Sequence, residues 1–241
     1  MIYHGKTDTG KMRNSNQDDF AVSKLPDGSV IAVVCDGMGG ANAGNVASKK
    51  ATEVISSFFT RSYRSGLDSK AVIALLQSAI LSANIEVYDM AQKDHELSGM
   101  GTTVVAAFVS KDFAVISHVG DSRAYAVGKE IVQLTRDHSI VQSLIESGKL
   151  TPEEARVHPR RNIITRALGI EPEVLVDSDE YTLKKGEALL LCSDGLSNYV
   201  STDEIKEIIN SNPYDKVPDL LIERANHNGG ADNITVVIVS V

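Results

Sequence analysis

Four short apolar runs of this chain lie next to an aspartate, and they limit its fold more than any other feature. VIAVVC leads into Asp36, AVISHVG into Asp121 and ALLLC into Asp194, while Asp232 precedes ITVVIV. Such runs predict buried β-strands, and strand ends that lie side by side would gather the four carboxylates into a site for hard divalent cations. Asp-Gly is also a common hairpin turn. After Asp36, however, the segment 38–44 leads into a helical pattern, not into a second strand.

The periodicity along the chain predicts blocks of strands that alternate with pairs of helices. Short turns between most strands favour antiparallel pairing. Capping boxes starting at Thr151 and Ser201 predict two helix N-termini. Strands are predicted at about 2–8, 18–24, 29–35, 102–109, 112–119, 122–127, 131–134, 173–182, 187–193 and 233–241, and the longer helices at about 44–63, 69–93 and 215–227.

Length and composition indicate one soluble domain over residues 1–241, with no linker-like stretch. The net charge of −8 argues against nucleic acid as a partner but suits the binding of cations. The apolar runs of the chain are shorter than the about 18 residues that a membrane span needs, and no secretory signal is evident. We therefore expect a cytoplasmic protein. Cys35 and Cys192 lie in apolar runs and are predicted to be core residues.

The segment 136–169 interrupts the alternation of strands and helices. It contains two short helical patterns and a basic stretch with Arg160, Arg161 and Arg166. We predict that this segment, called the flap below, leaves the core of the domain. Its arginines are either solvated or used to orient an anionic substrate.

Further motifs follow in order along the chain. They are Thr7-Asp8-Thr9-Gly10, Arg13-x-x-Asn16-Gln17-Asp18, Asp36-Gly37-Met38-Gly39-Gly40, Gly99-Met100-Gly101-Thr102-Thr103, Val119-Gly120-Asp121-Ser122-Arg123, Asp137-His138-Ser139, His158-Pro159-Arg160-x-Asn162, Ser193-Asp194-Gly195-Leu196 and Gly229-Gly230-x-Asp232-Asn233. Together they resemble the metal-dependent protein serine/threonine phosphatases of type 2C in their compact bacterial form. The resemblance spans essentially the whole chain. It implies an α+β fold: a four-layer α-β-β-α sandwich of two antiparallel sheets flanked by helix pairs, with the flap as an excursion.

The resemblance also implies a centre for two Mn²⁺ or Mg²⁺ ions and a third, weaker ion. In this family pattern Asp36 bridges two cations, and Asp194 and Asp232 complete the shell of the first. Asp18 supports the second cation, and Asp121 with Asp194 forms the third site. The implied ligands are thus the carboxylates of Asp18, Asp36, Asp121, Asp194 and Asp232 and the carbonyl of Gly37.

The implied reaction is hydrolysis of phosphoserine and phosphothreonine by a water that two cations activate and hold in line with phosphorus. The resemblance implies that Asp36 and Asp194 are the catalytic carboxylates. Arg13 is both a catalytic and a substrate-binding residue, because its guanidinium can hold two phosphoryl oxygens as a fork. Arg160 and Arg161 are further candidates for substrate binding on the flap.

One position departs from the family pattern. Some members have a histidine directly after the Asp-Gly dipeptide, thought to protonate the leaving alkoxide, and here that position is Met38. A metal-bound water is then the first candidate for the general acid. His138 and His158 are weaker candidates, and a structural role is favoured for both.

The sequence also bears on functions other than a metal-dependent protein phosphatase. A cysteine-based phosphatase is excluded because Ala41 and Asn198 stand where Cys-x5-Arg requires arginine, and Tyr181 breaks the phosphoaspartyl pattern near Asp177. A non-catalytic pseudophosphatase and a phosphatase dedicated to an anti-anti-sigma regulator stay open as alternatives. We expect a monomer whose partners are phosphorylated proteins, among them a cognate serine/threonine kinase.

Overall fold

The computed structural model describes residues 1–40, 43–184 and 186–240. Within these residues the chain forms strands β1 (Ile2–Asp8), β2 (Asp18–Lys24), β3 (Val30–Met38), β4 (Gly101–Thr102), β5 (Val104–Val109), β6 (Ala114–Val119), β7 (Arg123–Val127), β8 (Ile131–Gln133), β9 (Asp177–Tyr181), β10 (Ala188–Cys192) and β11 (Ile234–Ser240). It also forms helices α1 (Ala43–Ser62), α2 (Ser69–Lys93), α3 (Ile140–Glu146), α4 (Pro152–Arg156), α5 (Asp194–Ser197), α6 (Thr202–Ser211) and α7 (Val217–His227), with a 3₁₀ helix at His95–Leu97.

The strands build two antiparallel sheets. The first has the order β1-β11-β10-β7-β8, and the second has the order β2-β3-β5-β6-β9 with β4 paired to β3. Helices α1 and α2 cover the second sheet, and α6 and α7 cover the first. The structure is therefore the predicted α+β, four-layer α-β-β-α sandwich.

The alternation of side chains along β3 explains why its whole run is apolar. Val30, Ala32 and Val34 belong to the cluster between the two sheets, whereas Ile31 and Val33 pack against α1 and α2. Successive residues of a strand point to opposite faces, so a strand covered on both faces needs apolar residues throughout. The sandwich follows from these continuous apolar strands.

Helix α2 is the one helix in the described ranges that is long and apolar enough to cross a membrane by length and composition, with a mean hydropathy of 1.5 over 18 residues. Here it packs into the core beside α1 through buried residues that include Val72, Leu76, Ile80 and Val87. A core helix meets the same criterion, so α2 gives no indication of a membrane span.

Most predicted elements coincide with observed ones, and the differences concern strand ends. The strand predicted over 102–109 is divided at Thr103 into β4 and β5, and the strand predicted over 173–182 begins at Asp177. The prediction that aspartates follow strand ends in loops is wrong for Asp36, which lies inside β3, and for Asp194, which opens α5. The run Ala41-Asn42 and the last residue of the strand predicted to 241 lie outside the described residues.

The flap contains α3 and α4, the latter opened by the predicted capping box of Thr151 and Glu154. Bridge pairs join Ser139 to Ile164 and Thr102 to Leu168 at its base. The flap therefore starts beside Gly120, which precedes Asp121, and returns to the core beside β4 at Leu168.

Candidate metal centre and active site

Both sheets contribute to the cluster of carboxylates. Asp18 and Asp36 are register partners on β2 and β3 of the second sheet. Asp194 follows β10 and Asp232 precedes β11 in the first sheet, and Asp121 lies in the turn where the chain crosses from β6 to β7. The five predicted carboxylate ligands meet at one end of the sandwich and influence one another electrostatically.

Two of these carboxylates have buried oxygens without a hydrogen-bond partner. Asp18 accepts a hydrogen bond from Ser193 Oγ at 2.7 Å through Oδ2, and Asp194 accepts one from Asn198 Nδ2 at 3.0 Å. Oδ1 of each is buried and has no partner. Burial, with the charges of neighbouring aspartates, raises the pKa of Asp18 to about 7 and that of Asp194 to about 6. Buried, unpaired carboxylate oxygens are expected where a cation binds.

Asp36 and Asp121 are perturbed in the same direction. Burial and the negative charges of Asp18 and Asp194 raise the pKa of Asp36 well above its ordinary value. Burial and the charge of Asp194 raise the pKa of Asp121 to about 8. Desolvation and repulsion between like charges both disfavour ionisation of these carboxyl groups.

The donor atoms of the cluster also indicate which metal it binds. A donor set of carboxylate and carbonyl oxygens matches Mg²⁺ or Mn²⁺ better than zinc or copper.

Gly37 lies where no side chain fits. A Cβ on this residue would be 2.0 Å from the carbonyl oxygen of Gly44 and 2.6 Å from that of Gln17. The Gly37 N–H donates to the Gln17 carbonyl at 3.0 Å. The start of α1 and the loop before β2 therefore press against the Gly37 peptide. Gly195 has a similar role, since its Cβ would be 1.9 Å from the Asn233 carbonyl oxygen.

Thr103 is a supporting residue to which the sequence analysis gave no role. Its N–H donates to the Asp36 carbonyl at 2.9 Å, and its hydroxyl accepts from the Asp36 N–H at 3.1 Å. The same hydroxyl lies 2.7 Å from Ser122 Oγ, beside Asp121. Thr103 thus links the backbone of Asp36 to the turn of Asp121. Thr103 and Ser122 belong to the Gly-Thr-Thr and Asp-Ser motifs of the sequence, but the hydrogen bond between their hydroxyls is visible only in the fold.

Arg13 lies at the entrance to the centre. Its guanidinium donates to Asp232 Oδ2 at 2.9 Å, which leaves other N–H donors of the fork unused by that contact. Asn233 secures the loop by donating to the carbonyls of Thr9 and Ser15 and accepting from the Gln17 N–H. A cavity of about 370 Å³ lies beside Arg13 and is floored by glycines 39 and 40. An anion in this cavity could reach the free donors of Arg13.

His138 is occupied within the fold. Its Nδ1 accepts the Gly120 N–H at 3.1 Å, so the ring proton is on Nε2, which lies 3.2 Å from Asp177 Oδ2. Burial lowers its pKa. The His158 ring accepts the Arg160 N–H on the flap. Neither geometry favours a general acid for the leaving group, and Met38 supplies no proton.

A second group of possible ligands consists of His118, His138 and Asp177, whose ligand atoms lie within 4.8 Å of one another. Metal-binding histidines normally donate a hydrogen bond from their other ring nitrogen. The other nitrogen of His138 accepts one instead, and Arg166 already neutralises Asp177 at 2.8 Å. This group is a hydrogen-bonded connection between the flap and β9, and its geometry disfavours a metal ion.

The two flap arginines that were predicted to bind substrate lie in different surroundings. Arg160 and Arg161 are both exposed. Arg161 lines a cavity of about 620 Å³ that also includes Asp121 and Asp194, together with Arg156. Arg160 does not line it. The structure therefore brings Arg161, but not Arg160, to a space shared with the carboxylate cluster.

Comparison with known proteins agrees with this arrangement. The family model described as protein phosphatase 2C matches residues 11–234. The chain belongs to the protein phosphatase 2C family. It is 41% identical over 236 residues to the serine/threonine phosphatase stp of Listeria innocua, covering 97% of this chain and 93% of that protein. It is therefore a protein serine/threonine phosphatase that acts on phosphoproteins.

Solved structures of this phosphatase family have the same fold. Serine/threonine phosphatase Stp1 from Staphylococcus aureus has a TM-score of 0.93 and 37% identity, covering 99% of this chain and 94% of that one. The catalytic domain of PstP in complex with two manganese ions has a TM-score of 0.87 and 32% identity, covering 98% and 96%. Divalent-metal dependence follows for this phosphatase. The non-catalytic alternative is not favoured, since every predicted ligand residue lies in the cluster.

Proposed function

We propose that this phosphatase hydrolyses phosphoserine and phosphothreonine with two Mn²⁺ or Mg²⁺ ions and a third, weaker one. The observation that carries the proposal is the pair of buried carboxylate oxygens, on Asp18 and Asp194, that have no partner in the protein. Asp36, the Gly37 carbonyl, Asp194 and Asp232 would hold the first two ions with Asp18 in support. Asp121 and Asp194 would hold the third.

The cations, when bound, lower the pKa of a water molecule and offset the charge of the phosphoryl oxygens. The protein supplies positioning. Thr103 fixes the backbone of Asp36 from two sides, and Ser193 orients Asp18. Asp232 holds Arg13 at 2.9 Å, so that its unused N–H donors can bind the phosphoryl group as the substrate enters.

The substrate set also belongs to this proposal. Membership of the family supports, as substrates, proteins that a cognate serine/threonine kinase has modified, and the kinase itself. We further propose one catalytic domain over 1–241 that acts as a monomer in the cytoplasm. A phosphatase dedicated to an anti-anti-sigma regulator is the weaker candidate, because Arg13 occupies the entrance and such enzymes generally lack its motif.

Removal of metal is expected to abolish activity on a phosphothreonine peptide. Addition of Mn²⁺ should restore it, because the donor atoms are all oxygens. Mg²⁺ should restore it less well, because Mg²⁺ demands near-ideal octahedral geometry and gives up its water ligands reluctantly. Initial rates after treatment with a chelator and titration with each metal provide the measurement. The oxygen-ligand assignment would be wrong if Zn²⁺ alone restored turnover.

Replacing Arg13 with alanine is expected to lower kcat/KM by a factor that corresponds to about 2–4 kcal/mol of lost transition-state stabilisation. The half-exposed guanidinium loses its water only when a phosphoryl group covers it, so the loss should appear in substrate use. Arg13→Lys should recover little of it, because lysine presents a point charge instead of a planar fork. Steady-state kinetics with a phosphothreonine peptide test this, with the remote Arg61→Ala as control. Wild-type kinetics in both Arg13 variants would show that Arg13 does not bind the phosphoryl group and only forms a surface ion pair with Asp232.

A further inference from the structure

The turn that carries Asp121 is a tight bend between the two sheets. It comprises residues 120–122, between the end of β6 in the second sheet and the start of β7 in the first. Gly120 has a φ of +107°, and a Cβ at this position would be 2.6 Å from Thr103 Cγ2. Only glycine adopts this conformation without strain. The turn is therefore pressed against Thr103, whose hydroxyl also contacts Ser122.

His138 pairs with both backbone groups of Gly120. The His138 N–H donates to the Gly120 carbonyl at 2.9 Å, and the Gly120 N–H donates to His138 Nδ1 at 3.1 Å. Strand β6 ends at Val119, so the buried Gly120 N–H lies beyond the β-ladder and needs an acceptor from elsewhere. A buried backbone N–H without an acceptor is strongly unfavourable. The imidazole of His138 supplies that acceptor.

The contacts of the His138 ring require one tautomer. Nδ1 accepts a hydrogen bond, so the proton of the neutral ring is on Nε2. Asp177 Oδ2 lies 3.2 Å from Nε2 and accepts this proton, while Arg166 donates to the other oxygen of Asp177 at 2.8 Å. The His118 ring stacks on His138 with centroids 4.8 Å apart, and its Nε2 donates to the Arg136 carbonyl at 2.8 Å. These neighbours hold the ring with its acceptor nitrogen towards Gly120.

The position of the Asp121 carboxylate depends on the backbone of its turn. Asp18 and Asp194 each accept a hydrogen bond from a neighbouring side chain, Ser193 and Asn198 respectively. In the described part of the chain, no side chain donates a hydrogen bond to the carboxylate of Asp121. A change in the Gly120 peptide would therefore move the Asp121 carboxylate more than it would move those of Asp18 and Asp194.

We propose that His138 is a positioning residue for the weaker, third cation: its Nδ1 holds the Gly120 N–H and so fixes the turn that presents Asp121. The inference rests on the proposed function, which assigns this cation to Asp121 and Asp194. The ring proton of His138 faces Asp177, so the residue acts through the turn and not as a general acid. Groups that orient metal ligands typically change metal affinity by about 10–100-fold when they are replaced.

Two substitutions of His138 separate the roles of its ring nitrogens. In His138→Asn the amide oxygen can take the place of Nδ1 and accept the Gly120 N–H, whereas in His138→Gln the amide lies nearer the place of Nε2. His138→Gln is expected to weaken binding of the third Mn²⁺ by about 10–100-fold, and His138→Asn should restore most of that affinity. The two tight ions should bind both variants as they bind the wild-type protein. Isothermal titration calorimetry of Mn²⁺ into chelator-treated protein measures all three ions.

The matched control is His118→Gln, which removes a buried histidine from the same stack. His118 donates to the Arg136 carbonyl, and glutamine can still do so. This variant should keep the affinity for the third Mn²⁺. An equal loss in His118→Gln would show that packing of the histidine pair, and not the Nδ1 contact, holds the turn.

Kinetics provide a readout that a general loss of folding would not imitate. With an aryl phosphate, kcat of His138→Gln should fall at low Mn²⁺ concentration and return towards the wild-type value as the concentration rises. The KM for the aryl phosphate should be unchanged. A kcat that stays low at all Mn²⁺ concentrations would contradict a role in binding the third ion.

The tautomer can be tested in the wild-type protein without metal and without substitution. Long-range ¹H–¹⁵N correlation spectra of histidine-labelled protein should show the His138 proton on Nε2, because Nδ1 accepts the Gly120 N–H. A proton on Nδ1 would overturn the proposal, since that nitrogen could not then accept.

The calorimetric outcomes separate this role from the phosphatase activity. If the third Mn²⁺ binds His138→Gln as it binds the wild-type protein, the positioning role is wrong and the phosphatase stands. If the wild-type protein binds two tight ions and no third, the third site of the proposed function is wrong and the positioning role fails with it. If the third ion depends on His138 but no phosphothreonine peptide is hydrolysed with Mn²⁺, the positioning role stands and the proposed function is wrong.

Discussion

Replacement of Asp36 by asparagine is expected to remove nearly all phosphatase activity while making the metal-free protein more stable. The side chain is the proposed bridge between two cations, so the rate should fall by more than the about 100-fold typical of losing an outer-shell partner. In the absence of metal, the same carboxyl faces the negative charges of Asp18, Asp194 and Asp121. Its neutral replacement should relieve that repulsion and raise Tm by about 2–4 °C for each kcal/mol gained.

Thermal unfolding with and without Mn²⁺ measures both effects: the stability of the metal-free protein and its further stabilisation by the metal. The wild-type Tm should rise strongly with Mn²⁺, because the metal binds only the folded chain, and the Asp36→Asn Tm should rise little. Asp121→Asn is the matched variant: it should slow turnover yet keep most of the Mn²⁺ effect on Tm. An Asp36→Asn protein with the wild-type response to Mn²⁺ would contradict the bridging role.

The metal-free protein is expected to lose stability as pH rises from about 4 to about 8, a window set by the ordinary and the raised carboxyl pKa values. The pKa values of Asp194, Asp18 and Asp121 are raised to about 6, 7 and 8, from an ordinary value of 3.8. In this window the folded protein keeps protons that the unfolded chain has released. The stabilisation is therefore complete below the ordinary pKa and is lost as pH rises through the raised values.

The magnitude of this effect is about 1.4 kcal/mol per pH unit for each carboxyl that is protonated only in the folded state. Urea unfolding in the presence of a chelator, repeated across the pH range, gives the slope directly. With saturating Mn²⁺ the slope should flatten or reverse, because binding requires ionised ligands and releases protons. If the free energy of unfolding without metal did not change over this pH range, the pKa values of these carboxyl groups would not be raised in the folded protein.

The sequence predicted the layers of this fold because the spacing of apolar residues differs clearly between its strands and its helices. Continuous apolar runs such as that of β3 indicate strands covered on both faces, and the stripe of α2 indicates one buried side. The ends were harder to predict. Asp36 was expected in a loop, but pairing with Thr102 and Asp18 extends β3 through it to Met38.

The site was predicted through motifs, and its supporting contacts were not. The roles of Thr103 and Ser193 depend on hydrogen bonds to residues 67 and 175 positions away in the chain, a pairing that local pattern does not encode. Arg156 was not singled out either, because its relation to Arg161 and to the carboxylates depends on how the flap folds back. The roles given to Arg160 and Arg161 in substrate binding stay predictions.

The most direct test of the central claim is anomalous diffraction from crystals of this protein soaked in Mn²⁺, with the Asp36→Asn variant alongside. The metal centre described here predicts two strong manganese peaks between Asp36, Asp194 and Asp232, with a weaker peak near Asp121, and loss of the strong pair in the variant. Manganese bound instead at His118, His138 and Asp177, or an unchanged pair of peaks in Asp36→Asn, would contradict it.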